Sequence, residues 1–195
     1  SSPDTLVGAV GADADIFTVR SDDGGASWSR VTPLNTNASS DAGHDLSPAI
    51  AATGTFGRYV VVWESSEDLG GKLGADRDVL AARSTNGGKS WTAPAAVETG
   101  ADKDTSDDGG PTLVSDGRGG LVAAWLTLGG PLGSDFDLVA AASLDHGLSW
   151  SLSSPLNPAQ SDAETTDDDG QALATDGSGT WMGIWTSKDG AGGSH

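Results

Sequence analysis

The chain has 195 residues, among them 29 Gly and 7 Trp, and it contains no Cys, which excludes disulfides and thiolate chemistry. Its formal net charge of -18 makes nucleic acid and anionic membrane surfaces poor partners, because basic surfaces bind both. No apolar run approaches the ~18 residues that a membrane span needs, so no membrane partner is expected.

The predicted elements are strands, taken here in chain order. Residues 1–36 hold two strands, residues 47–100 and 110–160 hold four each, and residues 170–187 hold two. Short apolar runs such as 59–63 alternate with Gly-rich turns such as 116–119, which are typical of hairpins. No segment has a sustained period of 3.6 residues, so essentially no helix is expected. The tail, residues 191–195, resembles a linker running into a purification tag.

One turn motif occurs three times, with the pattern Ser-x-Asp/Asn-x-Gly-x-Ser-Trp. Its copies begin at Ser21, Ser84 and Ser143, so they are almost evenly spaced along the chain. We call these copies, residues 21–28, 84–91 and 143–150, the box turns. Asp-x-Asp pairs at 13–15, 76–78 and 135–137 keep the same phase, and so do Trp63, Trp125 and Trp185. Repeats at a regular spacing predict one structural unit per repeat.

The chemistry of the box turn predicts a structural role. Its Asp or Asn accepts hydrogen bonds from backbone N–H groups of the same turn, its Gly permits positive φ, and its Trp is expected to be largely buried. The predicted structural residues are Ser21, Asp23, Gly25, Trp28, Ser84, Asn86, Gly88, Trp91, Ser143, Asp145, Gly147 and Trp150.

These motifs resemble the Asp-box, or bacterial neuraminidase, repeat of the sialidase-like β-propellers. The resemblance covers about residues 13–187 and implies an all-β propeller of four-stranded antiparallel blades, in which the box turn joins the third strand to the fourth. Two blades are then complete. The half blade at 1–36 supplies a third and a fourth strand, and the half blade at 170–187 supplies a first and a second strand. The chain is therefore circularly permuted.

Three blades are too few to close a ring, because propellers have about four to eight. We expect two copies of the chain to form a six-bladed, two-fold homodimer in which the half blades combine. The alternative is that the chain is a segment of a longer single-chain propeller.

The resemblance implies a sialidase site with three Arg, a Tyr nucleophile and its Glu partner, and an Asp acid/base. The six Arg and the single Tyr59 do not fit that set: Arg77 is predicted near the face that carries the long loops, whereas Tyr59 starts a strand near the opposite face. His44, His146 and His195 are scattered along the chain. No catalytic residue is therefore assigned.

The long-loop face is predicted to be acidic. Asp45, Asp108 and Asp168 hold equivalent positions before the first strand of a blade, and they are expected to ring the channel mouth. Three interpretations stay open: turn capping, a Ca²⁺ site, since clustered carboxylates ligate this cation, and an acid/base pair acting on a neutral glycan.

We therefore expect a non-catalytic module for binding or assembly, without a certain cofactor. The alternatives are a sialidase-like glycoside hydrolase and a designed or excised propeller segment. A secreted or extracytoplasmic location is expected.

Overall fold

The computed structural model describes residues 10–129, 132–156 and 167–187. The described residues form an all-β protein without a helix. They accordingly contain no helix that is long and apolar enough to cross a membrane. The twelve strands of the described residues are β1 (Phe17–Thr18), β2 (Thr32–Pro33), β3 (Asp45–Ala52), β4 (Tyr59–Ser65), β5 (Asp78–Ser84), β6 (Ala95–Ala96), β7 (Asp107–Ser115), β8 (Leu121–Leu128), β9 (Phe136–Ser143), β10 (Ser154–Pro155), β11 (Asp168–Thr175) and β12 (Trp181–Ser187).

The strands form two complete four-stranded antiparallel sheets and two half sheets. The orders are β3-β4-β5-β6 and β7-β8-β9-β10 for the complete sheets, with β1-β2 before them and β11-β12 after them. The division of the chain into two whole blades and two half blades stays a prediction. The predicted linker, residues 191–195, lies outside the described residues.

The core lies between successive sheets. The largest cluster joins β4 and β5 to β8 and β9, and its centre includes Val62, Val79, Leu121 and Trp125. A second cluster joins Ile16 and Leu34 to the next sheet, and a third lies between β8 and β9 on one side and β11 and β12 on the other. Each complete four-stranded sheet thus buries one face against the sheet before it and the other against the sheet after it.

The first strand of each sheet carries an irregularity at the same place. The register shifts between Leu46 and Ala49 in β3, and equivalent shifts occur in β7 and β11. The first of the two residues inside the shift has positive φ in all three strands: 53° at Ser47, 59° at Gly110 and 64° at Gly170. This β-bulge begins two residues after Asp45, Asp108 and Asp168, respectively.

Candidate functional site

The long-loop end of each complete four-stranded sheet carries two buried carboxylates, one on either side of a hydroxyl group. Ser65, in β4, is the register partner of both Asp45, in β3, and Asp78, in β5. The next sheet repeats this arrangement with Thr127 between Asp108 and Asp137. In the third unit Asp168 pairs with Ser187, and no third strand follows among the described residues.

Asp45, Asp108 and Asp168, which are expected to ring a channel mouth, do not form a group with carboxylate oxygens within 4.8 Å of one another among the described residues. Each of the three is buried within its own unit. Asp45 accepts a hydrogen bond of 2.5 Å from Ser65 Oγ, and Asp108 accepts one of 2.8 Å from Trp125 Nε1. Burial, opposed by hydrogen bonds, raises the pKa of Asp45 to about 6. Asp45 and Asp108 each bond to a side chain of their own sheet, and the expected ring at a channel mouth stays a prediction.

Two other groups of carboxylates do converge. One group is Asp13, Asp15 and Asp41, and the other is Asp76, Asp78 and Asp104. Within each group the carboxylate oxygens lie within 4.8 Å of one another. The sequence contains a signal for these groups, since the Asp-x-Asp pairs recur in phase, but that signal by itself marks only the repeat.

The three box turns have the same internal hydrogen bonds. In the third, Asp145 Oδ1 accepts a bond of 2.9 Å from the Ser149 amide, while Ser143 Oγ accepts one of 2.9 Å from the Gly147 amide. Asp23 and Asn86 accept the equivalent bonds from the amides of Ser27 and Ser90. The hydroxyl and amide of Ser149 and the hydroxyl of Ser143 donate hydrogen bonds to Asp145, and these bonds lower its pKa to about 2. These contacts are all local to the turn and stabilise it.

In the third box turn, a Cβ on Gly147 would meet both backbone strain and crowding. Gly147 has φ of 76°, and a Cβ built there would lie 3.0 Å from Val60 Cγ2 of the preceding sheet. Gly147 therefore permits both the tight turn and the close approach of its sheet to the preceding one.

The expectation that all three box-turn Trp are largely buried is wrong for Trp28, which is 63% exposed. Trp91 and Trp150 are half-buried and pack against the clusters that lie between their own sheet and the preceding one. Trp28 belongs to the first half sheet, and the described chain has no preceding sheet against which it can pack.

A cleft of about 940 Å³ lies between the β1–β2 half sheet and the β3–β6 sheet. Its lining includes Val19, Trp28, Ile50 and Phe56, which are all exposed apolar side chains. Arg20, Arg58 and Tyr59 line it as well, a convergence that sequence reasoning missed. Arg77 lies outside the cleft, with its Nη1 3.7 Å from Glu64 Oε1. The cleft is therefore lined by two guanidinium groups, not three.

A scan of protein-family models and a search of curated proteins found no match. Among solved structures, a Hadza microbial sialidase, Hz136, is similar at 19% identity and a TM-score of 0.47, over 70% of this chain and 30% of that one. A mutant of an α-L-arabinofuranosidase from Fusarium graminearum is similar at 15% identity and a TM-score of 0.42, over 68% of this chain and 37% of that one. The chain thus spans about a third of the length of either protein.

Proposed function

We propose that the chain is a non-catalytic Asp-box propeller module that assembles with a second copy of itself, so that the half sheets at its two ends complete shared blades. The observation that carries the proposal is the match between an open strand edge beside the cleft and an exposed hairpin at the other end of the chain.

The exposed hairpin is β11–β12. Ile184, in β12, occupies the position of Val62 in β4 and Ala124 in β8. Those two residues are fully buried, whereas Ile184 is 63% exposed. Met182, two residues earlier, is 64% exposed. Among the described residues β12 pairs only with β11, so one edge of β12 is open. Open edges with apolar side chains favour pairing with another strand.

The receiving edge belongs to β1, which pairs only with β2 in the described part of the chain. In the complete sheets the strands equivalent to β1, namely β5 and β9, lie between two others. The cleft adjoins this edge and is lined by Thr18 and Val19 on one side and Ile50 on the other. A two-stranded hairpin placed there would cover apolar surface that water now contacts.

The register of the proposed pairing follows from the complete sheets. Tyr59, which begins β4, pairs with Ser84 of the box turn, and Leu121, which begins β8, pairs with Ser143. The same rule places Trp181, which begins β12, opposite Ser21. Ile184 then lies opposite Thr18.

This register also completes the third acidic triplet, because it places Asp15 opposite Ser187. Ser187 Oγ and Asp15 Oδ2 are both buried atoms without a hydrogen-bond partner among the described residues. Buried polar atoms are normally paired, so their opposition supports the proposed register.

A second copy is the proposed partner because the interface is then isologous and closes. Each chain contributes one hairpin and one receiving edge, and a two-fold axis satisfies all four edges at once. Pairing within one chain would require a closed ring of three blades, which is below the usual propeller range of about four to eight.

Light scattering tests the assembly. A particle of about twice the 19.5 kDa chain mass is expected, and a monodisperse monomer at micromolar concentration would overturn the proposal.

Disulfide crosslinking tests the register, since the natural chain has no Cys. Singly substituted T18C and I184C chains are mixed and oxidised, and a covalent heterodimer is expected because opposed residues lie ~4.5–5.5 Å apart. T18C mixed with M182C is the control, since that diagonal pair would lie ~7–8 Å apart. Equal crosslinking of both mixtures would contradict the proposal. A doubly substituted T18C/I184C chain that crosslinks only within itself would contradict it as well. Turnover of sialosides or neutral aryl glycosides, abolished by one substitution, would contradict the non-catalytic part.

A further inference from the structure

The group formed by Asp76, Asp78 and Asp104 contains a buried carboxylate oxygen that no described residue satisfies. Asp78 is only 2% exposed, and its Oδ2 has no hydrogen-bond partner among the described residues. One Asp78 carboxylate oxygen lies within 4.8 Å of one from each of the other two residues, so the carboxylate faces the group. Leaving an ionised oxygen buried and unpaired is costly unless a cation compensates it.

No cationic side chain does so within the described residues. The ion pairs found there join Arg20 to Asp22, Arg77 to Glu64 and Lys103 to Asp102. Arg77 stands between Asp76 and Asp78 in the sequence, yet its guanidinium lies beside Glu64. Burial, together with the charges of Asp76, Asp104 and Glu98, raises the pKa of Asp78 to about 7. Burial likewise raises the pKa of Asp104, with a further contribution from Glu98.

The same group occurs one repeat earlier. Its members Asp13, Asp15 and Asp41 precede Asp76, Asp78 and Asp104, respectively, by the same interval along the chain. The first two box turns are separated by this interval as well. They contain two further buried oxygens without a hydrogen-bond partner among the described residues, Asp13 Oδ2 and Asp41 Oδ1, besides the Asp15 Oδ2 that the proposed dimer places opposite Ser187. Two independent stretches of sequence thus build one arrangement.

Glycine makes room for the first Asp of each group. Gly74 and Gly11 stand two residues before Asp76 and Asp13, and a Cβ on either Gly would overlap the Oδ1 of that Asp. The motif is therefore Gly-x-Asp-x-Asp. It recurs at Gly133, Asp135 and Asp137, and the sequence position equivalent to Asp104 in that repeat lies outside the described residues.

We propose that Asp76, Asp78 and Asp104 bind a divalent cation of the calcium class, and that Asp13, Asp15 and Asp41 bind a second one. Three carboxylates offer the hard oxygen ligands that Ca²⁺ prefers. Asp76 and Asp104 are only half-buried, which leaves room for water to complete the 6–8 ligands that Ca²⁺ takes. These residues differ from the ring of Asp45, Asp108 and Asp168 expected from the sequence, and the proposal does not depend on the assembly proposed above.

The two sites are expected to differ in affinity. Glu98, whose charge acts on both Asp78 and Asp104, occupies the position in its repeat that Asn35 occupies in the repeat before. Asn35 Nδ2 donates hydrogen bonds of 2.9 Å to Asp15 and 3.4 Å to Asp41. Asp41 also has an acidic neighbour, Glu67, so the two sites differ chiefly in the Asn35 amide, which already compensates two carboxylates of its group. We therefore expect the site at Asp78 to bind the cation more tightly.

Isothermal titration of the full chain with CaCl₂ after removal of metal tests the proposal. At least two Ca²⁺ per chain are expected, and D78N should lose the tighter one. The matched control is D102N, which removes the same charge from an exposed residue of the same loop as Asp104. Absence of binding at millimolar Ca²⁺, or equal effects of D78N and D102N, would overturn the site.

Thermal unfolding supplies a second readout that separates binding from folding defects. Ca²⁺ should raise the Tm of the natural chain above its value in chelator, since a ligand bound only by the folded state stabilises it. D78N should be at least as stable as the natural chain in chelator, because it removes an uncompensated charge, and should show a smaller rise in Ca²⁺. An equal rise with NaCl of matched ionic strength would show general screening and overturn the proposal.

Discussion

Trp125 donates a hydrogen bond of 2.8 Å from its indole Nε1 to Asp108 Oδ2, and both side chains are buried in the β7–β10 sheet. The bond favours the ionised carboxylate, whereas burial and the neighbouring Glu98 raise the pKa of Asp108. The indole thus provides one of the few groups that offset the cost of this buried acid.

Replacing Trp125 by Phe should therefore destabilise the chain through the lost hydrogen bond. We expect a loss of roughly 1–3 kcal/mol in the free energy of unfolding, measured by urea titration, because a buried acceptor loses its donor. W91F is the control, because Trp91 Nε1 is buried and has no hydrogen-bond partner among the described residues. A W91F loss as large as that of W125F would contradict this explanation.

The box turns predict that Asn can replace Asp but Ala cannot. Asn86 makes the same turn as Asp145, with its Nδ2 donating to Ser90 Oγ at 2.7 Å where Ser149 Oγ donates to Asp145 Oδ2 at 2.6 Å. D145N should therefore stay within ~0.5 kcal/mol of the natural chain, and D145A should lose about 1 kcal/mol because the Ser149 amide loses its acceptor. Equal stability of the two variants in thermal unfolding would refute the role assigned to the side chain.

Much of this architecture is readable from the sequence because one pattern recurs with its strands. The apolar run at 59–63 locates β4, and the Gly-rich turn at 116–119 locates the turn between β7 and β8. The carboxylate groups are harder to predict, since Asp78 and Asp104 are distant in the sequence and meet only when two loops adjoin. The exposure of Trp28 was missed for a related reason: a box-turn Trp packs on the preceding sheet, so its burial depends on a different repeat.

Stability in the absence of divalent cations should fall as the pH rises from about 4 to 7. The folded-state pKa values of Asp45, about 6, and Asp78, about 7, lie above the ordinary value of 3.8. Such groups stabilise the folded state fully below pH 4, and the contribution is lost as the pH rises through the folded-state pKa. Each contributes a slope of up to ~1.4 kcal/mol per pH unit. Urea titrations in chelator should show a shallower slope for D78N, and an unchanged slope would exclude Asp78 as a cause.

The bulge in β3 predicts a stabilising substitution. Ser47 has φ of 53° where the equivalent residues are Gly110 and Gly170. A left-handed conformation costs an L-residue ~1–2 kcal/mol, whereas Gly adopts it freely and loses ~0.5–1 kcal/mol of chain entropy. S47G should therefore gain up to ~1 kcal/mol, and the β-branched S47V should lose stability. A destabilised S47G would show that the Ser side chain contributes more than its strain costs.

Trp28 should contribute to assembly, whereas Trp150 should contribute to the stability of the single chain. Trp150 packs against the main core cluster, so W150A should lose roughly 2–4 kcal/mol at any protein concentration. Trp28 is largely exposed in the single chain, and in the proposed dimer it would pack against the second copy. W28A should therefore leave the Tm of dilute chain almost unchanged and weaken the dimer, which light scattering at several concentrations measures. An unaltered dimer in W28A would contradict the proposed packing of Trp28, and a fall in the Tm of dilute W28A equal to that of W150A would show that Trp28 belongs to the core of one chain.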